Sequence, residues 1–353
     1  MANFHELKIG AIKAETSSAV SINFDVPETL NKDYQFAAGQ YLNLSAIISG
    51  KEVRRAYSIC SAPSSGSLTV LVKKVEQGVF STFANEELSD GDLLKVATPE
   101  GRFVLPEANG SEEQFLFFAA GSGITPIMSM IADLLEKRPN AKMVLVYGNR
   151  NAEETIFKTQ LDAWRQQNPE RLKIEYIFSR QQTDHTHFGR IDRSKVAFLL
   201  NNKYQEVDFN NFFVCGPGDM IDTVTQALGD FGVSQDRVLF ERFTVSEDAQ
   251  TASEQAEVPA GSAQITYIID DETTTLNCST KDSVLDSAIN NDLDPPYSCQ
   301  GGICSSCIAR VTDGKVEMRK NQILTDSEVA DGLILTCQAH ATTPTVTIDY
   351  DDV

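Results

Sequence analysis

Over the first hundred residues apolar and polar positions alternate in short runs. "AVSINFDV", "QYLNLSAII", "RRAYSIC", "SLTVLVKKV" and "DLLKVATP" each carry this rhythm, with Gly, Pro, Asn and Ser between them. A period of two places successive side chains on opposite faces of a strand, and short strands at this spacing predict an antiparallel barrel. From about residue 112 the period changes. "EQFLFFAA" is an apolar strand, "GSGITP" a glycine-bearing turn, and "IMSMIADLLEKR" has helical spacing. "AKMVLVYGN", "LKIEYIFS", "NNFFVCG" and "DRVLFERF" read as further strands, with "AEETIFKTQLDAWRQQ" and "DMIDTVTQALGDFG" as helices. Strand alternating with helix predicts a parallel α/β sheet.

The stretch "SEDAQTASEQAEVPAGSA" has one large apolar residue, Val258, and reads as a mobile linker. Beyond it, "AQITYIID", "TTTLNC", "SVLDSAINN", "CIARVTDGKV" and "TVTIDY" predict a small α+β module. A module of this size needs an internal staple. The expected organisation is therefore multidomain: a barrel over 1–110, a nucleotide-type α/β domain over 111–245, a linker over 246–261 and the small module over 262–353.

Charge narrows the partners. The formal net charge is −20, so nucleic acid phosphates would be repelled, and no nucleic acid partner is expected. Residues 262–353 hold 15 Asp and Glu against 5 Lys and Arg, half of the net charge on about a quarter of the chain. General solubility or a salty habitat explains the total, while the asymmetry favours a negative docking face for a basic protein. No apolar run reaches the roughly 18 residues of a membrane span, and "MANFHELKIG" lacks the pattern of a secretion signal. The expectation is a cytoplasmic protein without membrane insertion. Its seven cysteines then point to metal or redox chemistry rather than to a disulfide framework.

Three of them crowd into "YSCQGGICSSC". Cys299, Cys304 and Cys307 stand at C-x4-C-x2-C, and Cys337 follows in "ILTCQA". That is the plant-type ferredoxin spacing for a 2Fe–2S cluster. Three thiolates from one loop must wrap a small anionic group. Gly301, Gly302, Ser305 and Ser306 let the backbone approach, and amide N–H groups can face the sulfurs. A structural zinc site prefers two C-x2-C pairs, and only one is present. Cys278 lies outside the pattern and reads as a buried thiol. His340 does not make a Rieske-type centre, because all four cysteines are there.

A 2Fe–2S cluster handles single electrons, whereas nicotinamide coenzymes carry hydride, so a flavin is the expected converter. In "RAYSICS" an Arg can clamp a pyrophosphate, an aromatic can cover a flavin ring, and a Ser can bond its edge; an ordinary barrel strand is the alternative. "GVFSTF" offers a glycine turn opening a short helix, a usable phosphate seat. "AAGSGITPIM" is a glycine-rich strand-to-helix turn, and "VCGPGDM" ends a parallel strand, where open α/β sheets bind ligands. Cys215 there is either a core thiol or a neighbour of the reacting carbon, and the following Gly-Pro-Gly favours the second.

"RAYS", "GSGITP" and "CGPGDM", in that order, resemble the ferredoxin–NADP reductase superfamily. The cysteine loop narrows this to reductases ordered flavin, nicotinamide, iron–sulfur. With "YGNR", "GRID" and "ERF", the chain most resembles the reductase subunits of phenylacetyl-CoA epoxidase systems. The resemblance implies an FAD-binding antiparallel barrel, an NAD(P)-binding α/β sheet and a β-grasp type ferredoxin domain. It implies that Arg55 holds the FAD pyrophosphate, that Tyr57 and Ser58 lie along the flavin, and that Gly78, Ser81 and Thr82 complete the phosphate seat. Gly121, Gly123 and Thr125 would take the dinucleotide. Cys215 and Gly216 would line the nicotinamide pocket, with Phe243 near the flavin; Cys215, Ser58 and Phe243 are the expected catalytic residues. Glu241 is left between polarising that pocket and being a surface charge. Ser179 and Arg180, with Arg150 as a second contact, suit an adenosine 2′-phosphate and so NADPH over NADH; two solvated loop charges are the alternative. His185 and His187 in "DHTHFG" read as a polar loop. The implied activity is an NAD(P)H-dependent relay through FAD and the cluster to an oxygenase. Other acceptors are a desaturase, a ring hydroxylase or a hybrid-cluster protein, and a redox sensor without turnover is the rival class.

Overall fold

The alternating runs of the first hundred residues close into a barrel. The computed structural model describes residues 3–108, 113–182, 187–243 and 261–353. Strands β1 (Phe4–Thr16), β2 (Ala19–Asp25), β3 (Tyr41–Ile48), β4 (Lys51–Ser58), β5 (Leu68–Lys73) and β6 (Leu93–Ala97) form an antiparallel sheet in the order β4-β3-β6-β1-β2-β5. The pairing of Ile59 with Val70 brings the two ends of the sheet together. Leu7, Ile9, Ile22, Leu42, Leu44 and Val96 point inward and are buried. Strand β1 adds to the five expected; its Leu7 and Ile9 face the core on the same period of two. A short helix, α1 (Val79–Glu86), follows β5.

The second half of the same compact unit, which runs Phe4–Phe243, is a parallel sheet. Strands β7 (Gln114–Ala120), β8 (Lys142–Asn149), β9 (Leu172–Phe178), β10 (His187–Phe188), β11 (Asn211–Gly216) and β12 (Val238–Arg242) lie in the order β10-β9-β8-β7-β11-β12. Helices α2 (Ile124–Lys137) and α3 (Lys158–Gln167) cover one face, and α4 (Arg193–Phe198) and α5 (Gly218–Asp230) the other. The alternation along β7 explains the two layers: Phe115 and Phe117 pack under α2, whereas Leu116 and Phe118 pack under α5. The chain builds β7 to β10 in one direction and then returns to place β11 and β12 on the other side of β7. The strand order therefore reverses between β7 and β11, and the carboxyl ends of those two strands form the crevice where such sheets bind ligands.

Two expectations are corrected. The helix expected from residue 152 begins only at Lys158, because Phe157 before it has φ 58, in the left-handed region. His187, expected in a loop, pairs with Ile177 as part of β10; His185 lies outside the described residues.

The other unit comprises β13 (Ser262–Ile269), β14 (Glu272–Ser279), α6 (Val284–Ile289), β15 (Ile308–Asp313), β16 (Val316–Met318), α7 (Asp326–Ala330), β17 (Leu333–Leu335), β18 (Ala339–Ala341) and β19 (Thr345–Asp349). Its main sheet has the order β14-β13-β19-β15-β17, with β13 and β19 parallel and the other pairs antiparallel, and α6 packs its Val284 and Ala288 into the core. That is the β-grasp arrangement. The linker expected over 246–261 lies, apart from Gly261, outside the described residues. Among the described residues no helix is long and apolar enough to cross a membrane.

Candidate functional site

The cysteine loop runs between α6 and β15, and a separate turn brings Cys337 to it from beyond β17. All four thiols are unbridged; Cys307 and Cys337 are buried and Cys299 and Cys304 half-buried. They stand as two pairs. Cys299 and Cys304 lie close enough to shift each other's acidity in opposite directions, and so do Cys307 and Cys337. The loop backbone turns inward: the Gly301 N–H donates to Cys299 Sγ at 3.4 Å. The Cys304 thiol and the amides of Gly301, Ile303 and Cys304 hold Cys299 down to about 6 against its burial. Its partner Cys304 is pushed up, by Cys299 and by burial. Gly302 has φ +72, and an added Cβ there would lie 3.0 Å from the Lys320 carbonyl, so glycine is required on both counts.

This geometry tests the expected cofactor. Among the described residues no three or more His, Cys, Asp or Glu side chains converge on one point to hold a single ion. Two thiol pairs facing inward amides suit two irons that each take two thiolates, and do not suit one tetrahedral zinc. Cys278 is a buried thiol 3.9 Å from the Tyr267 hydroxyl, as its place outside the pattern suggested.

On the barrel, β4 carries Arg55, Tyr57 and Ser58, and α1 packs beside it. Arg55 is exposed, and its guanidinium donates to the Arg54 carbonyl at 2.7 Å. The Tyr57 ring lies 5.5 Å from that of Phe80 on α1. Gly78 precedes the helix, and the Ser81 hydroxyl accepts from the Val75 N–H at 3.2 Å, which closes the turn. The Thr82 N–H donates to the Gly78 carbonyl at 2.9 Å. The first-turn amides ahead of it have no partner within the helix, which leaves donors at the start of α1 beside Arg55's strand.

Ser58, the last residue of β4, reaches the other domain. Its hydroxyl donates to Glu241 Oε2 at 3.2 Å, and both residues are buried. Burial pushes Glu241 up to about 8, with the Ser58 hydrogen bond opposing it. Glu241 is therefore not a surface charge but a buried acid on β12 whose neutral form is favoured. Cys215 is its register partner on β11. That thiol is fully buried among core residues, and burial together with Glu241 pushes it well up. Ser58, Cys215 and Glu241 thus meet, while Gly216 lies buried behind the exposed Pro217. Phe243 is exposed one residue beyond the end of β12.

A cleft of about 460 Å³ opens over the carboxyl ends of the parallel strands. Gly121, Arg150, Ser179 and Arg180 line it together. Gly123 and Thr125 are buried and do not line it; they shape the turn that carries Gly121. A Cβ on Gly123 would come 2.2 Å from the Cys215 carbonyl oxygen, so the turn sits directly on the β11 backbone. The Thr125 hydroxyl donates to the Ser122 carbonyl at 3.0 Å and fixes the turn.

The cleft also contains cations that spacing alone does not reveal. Arg150 lies one residue past the end of β8, and Arg180 and Arg190 two residues past the ends of β9 and β10, which are neighbours in the sheet. The rungs continue past the strands: the Arg180 N–H donates to the Arg150 carbonyl at 2.8 Å and the Gly189 N–H to the Phe178 carbonyl at 2.9 Å. Three guanidinium groups are thereby brought to one edge of the cleft. Lys73, from the end of β5, also lines the cleft and stands near Gly121, its charge disfavoured by burial and by Arg150. Arg190 was legible in "GRID" only as a motif; Lys73 and Glu241 acquire a role only when the two halves of the unit pack.

Comparison with known proteins agrees with this arrangement. The profile described as an oxidoreductase FAD-binding domain matches residues 7–105, that of an oxidoreductase NAD-binding domain 117–226, and that of a 2Fe-2S iron-sulfur cluster binding domain 267–342. The chain is 35% identical to a subunit of 1,2-phenylacetyl-CoA epoxidase from Escherichia coli (strain K12), over 99% of each chain. It is 33% identical to the ferredoxin reductase component of 3-ketosteroid-9-alpha-monooxygenase from Rhodococcus rhodochrous, over 98% of this chain and 96% of that one. Among solved structures, phthalate dioxygenase reductase shares the fold, with a TM-score of 0.61, 24% identity and 98% of each chain covered.

Proposed function

Because the chain belongs to the family of NAD(P)H-dependent reductase components that join FAD-binding, NAD-binding and 2Fe-2S domains and serve oxygenase systems, we propose that it draws on NADPH and supplies phenylacetyl-CoA 1,2-epoxidase. The carrying observation for the acceptor is identity of 35% along the whole length of the Escherichia coli epoxidase subunit, with no domain gained or lost. For the coenzyme it is the arginine edge, Arg150, Arg180 and Arg190, with the Ser179 hydroxyl beside it. Arginine forks matched to phosphate oxygens favour a 2′-phosphate over a bare ribose.

When bound, FAD supplies acceptance of a hydride pair and the 2Fe–2S cluster supplies one-electron release. The chain's own residues do the positioning. Arg55 and the amides at the start of α1 are suited to hold the FAD pyrophosphate, and Tyr57 to cover the ring. Glu241, bonded to Ser58 and with its neutral form favoured by burial, would leave little buried negative charge near Cys215 to oppose an approaching hydride. Gly121 and Gly123 open the turn to the dinucleotide, and Lys73 adds positive charge there. Cys299 and Cys304, and Cys307 with Cys337, would each hold one iron. The net −10 of residues 262–353 supports docking on a basic oxygenase surface.

The test is turnover with purified acceptors. NADPH oxidation coupled to epoxidation of phenylacetyl-CoA, faster than with a steroid or ring-hydroxylating oxygenase, supports the proposal. Faster turnover with one of those instead would assign the chain to that system, and no turnover with any would favour the sensor.

A further inference from the structure

The dinucleotide cleft is bounded by two left-handed kinks. On one side is the glycine turn, where Gly121 has φ +56. On the other is the segment from Arg150 to Phe157, which carries Arg150 and Glu154 into the cleft and ends at Phe157 with φ 58. The two segments belong to different loops, one after β7 and one after β8. A single buried side chain connects them. Tyr147 on β8 is 0% exposed, and its hydroxyl lies 3.0 Å from the Gly121 carbonyl and 3.3 Å from the Ile156 carbonyl.

The hydroxyl has one proton for two carbonyls, so it bridges them at the point where both chains leave the helix and strand geometry. The Gly121 carbonyl also accepts from the Ile124 N–H, the bond that closes the short turn Gly121–Gly123 ahead of α2. It thus fixes the orientation of the peptide whose neighbouring amides face the cleft. Removing the hydroxyl takes a hydrogen-bond partner from the Ile156 carbonyl, and that loss is felt where Arg150's loop is anchored. A ring at this place serves packing; its hydroxyl serves the spacing of the two walls.

We propose that Tyr147 is a positioning residue for the dinucleotide, setting the distance between the glycine turn and the Arg150 loop through its hydroxyl. This rests on the reading of the cleft as the NAD(P) site. The parts it orients serve the pyrophosphate as well as the adenosine end, so it acts on NADPH and NADH alike, unlike Arg180.

The test uses the holoenzyme with Tyr147→Phe, which retains the ring and the core packing. Stopped-flow reduction of the flavin is followed against NADPH and, separately, NADH. The expected result is a rise of about 5- to 10-fold in the apparent Kd for both coenzymes, as fits the loss of one hydrogen bond. The limiting rate, the FAD content and the visible spectrum stay as in the wild type. An unchanged Kd overturns the proposal, and so does a lower limiting rate at unchanged Kd. A loss confined to NADPH overturns it too, because it would place Tyr147 only with the arginine edge. If neither coenzyme reduces the wild-type flavin, the reading of the cleft falls first; normal wild-type reduction with an unmoved variant Kd removes Tyr147 alone.

Discussion

Replacing Arg180 by alanine removes the middle guanidinium of the three at the cleft edge. Its backbone rung to Arg150 remains, so β9 and the cleft keep their shape. What is lost is one charged contact to the 2′-phosphate of NADPH. A hydrogen bond to a charged group contributes about 1.5–3 kcal/mol where water is excluded. Arg180 is exposed, as are Arg150 and Arg190 on either side, and both neighbours can take over part of the phosphate's charge. Solvent screening and this redundancy bring the loss to or below the lower end of that range, about 1–1.5 kcal/mol, or about 5- to 12-fold in Kd. NADH has no phosphate there, and its Kd should change by less than about twofold. Anaerobic stopped-flow reduction of the flavin gives both constants. High salt should weaken NADPH binding in the wild type and shrink the gap to the variant, because the contact is between exposed charges. Equal effects on the two coenzymes, or none on either, would refute the assignment of this edge to the phosphate.

Other outcomes follow from the same geometry. Cys304→Ser breaks the Cys299–Cys304 pair, so iron content and the cluster's visible absorbance should be lost while NADPH still reduces the flavin; an unchanged spectrum would overturn the ferredoxin assignment. Glu241 has a raised folded-state pKa of about 8, so its contribution to stability is full below the ordinary carboxyl range and disappears as pH rises through about 8. The melting temperature of the wild type should decline across that window relative to Glu241→Gln, and parallel pH curves for the two would show that Glu241 is not buried as described. Gly123→Ala puts a methyl 2.2 Å from the Cys215 carbonyl on a strand held from both sides. It should destabilise this unit by about 1–3 kcal/mol and weaken dinucleotide binding, measurable by denaturant melts and flavin reduction; wild-type behaviour in both would mean the turn does not rest on β11.

Strand and helix periods carried most of the fold, because the inner face of the barrel and both faces of the parallel sheet are buried on a regular pattern. Where backbone conformation departs from pattern, legibility stops. The apolar spacing of "AEETIFKTQLDAW" continues through Phe157, yet that residue's left-handed φ delays the helix to Lys158. His187 is polar, but the end of β9 recruits it into an edge strand. The cluster cysteines were legible because three of them lie within nine residues and their spacing encodes the wrap around a cofactor. Glu241 was legible only as two alternatives, a pocket acid or a surface charge, because the partner it meets in the interior, Ser58, is 183 residues away. Lys73 is a barrel residue in sequence and a dinucleotide-cleft residue only in space. Arg190 joins Arg150 and Arg180 only once three strands have lined up.

The central claim is that electrons enter as hydride at the flavin and leave singly through the cysteine loop to an oxygenase. An anaerobic titration with NADPH, followed by visible absorbance and electron paramagnetic resonance, tests it most directly when the oxidised phenylacetyl-CoA epoxidase oxygenase is then added. The account predicts bleaching of both flavin and cluster, complete after about 1.5 equivalents of NADPH for the three electrons they hold, and reoxidation of both on adding the oxygenase. A flavin that bleaches while the cluster stays oxidised, or a reduced protein that the oxygenase leaves reduced, would contradict it.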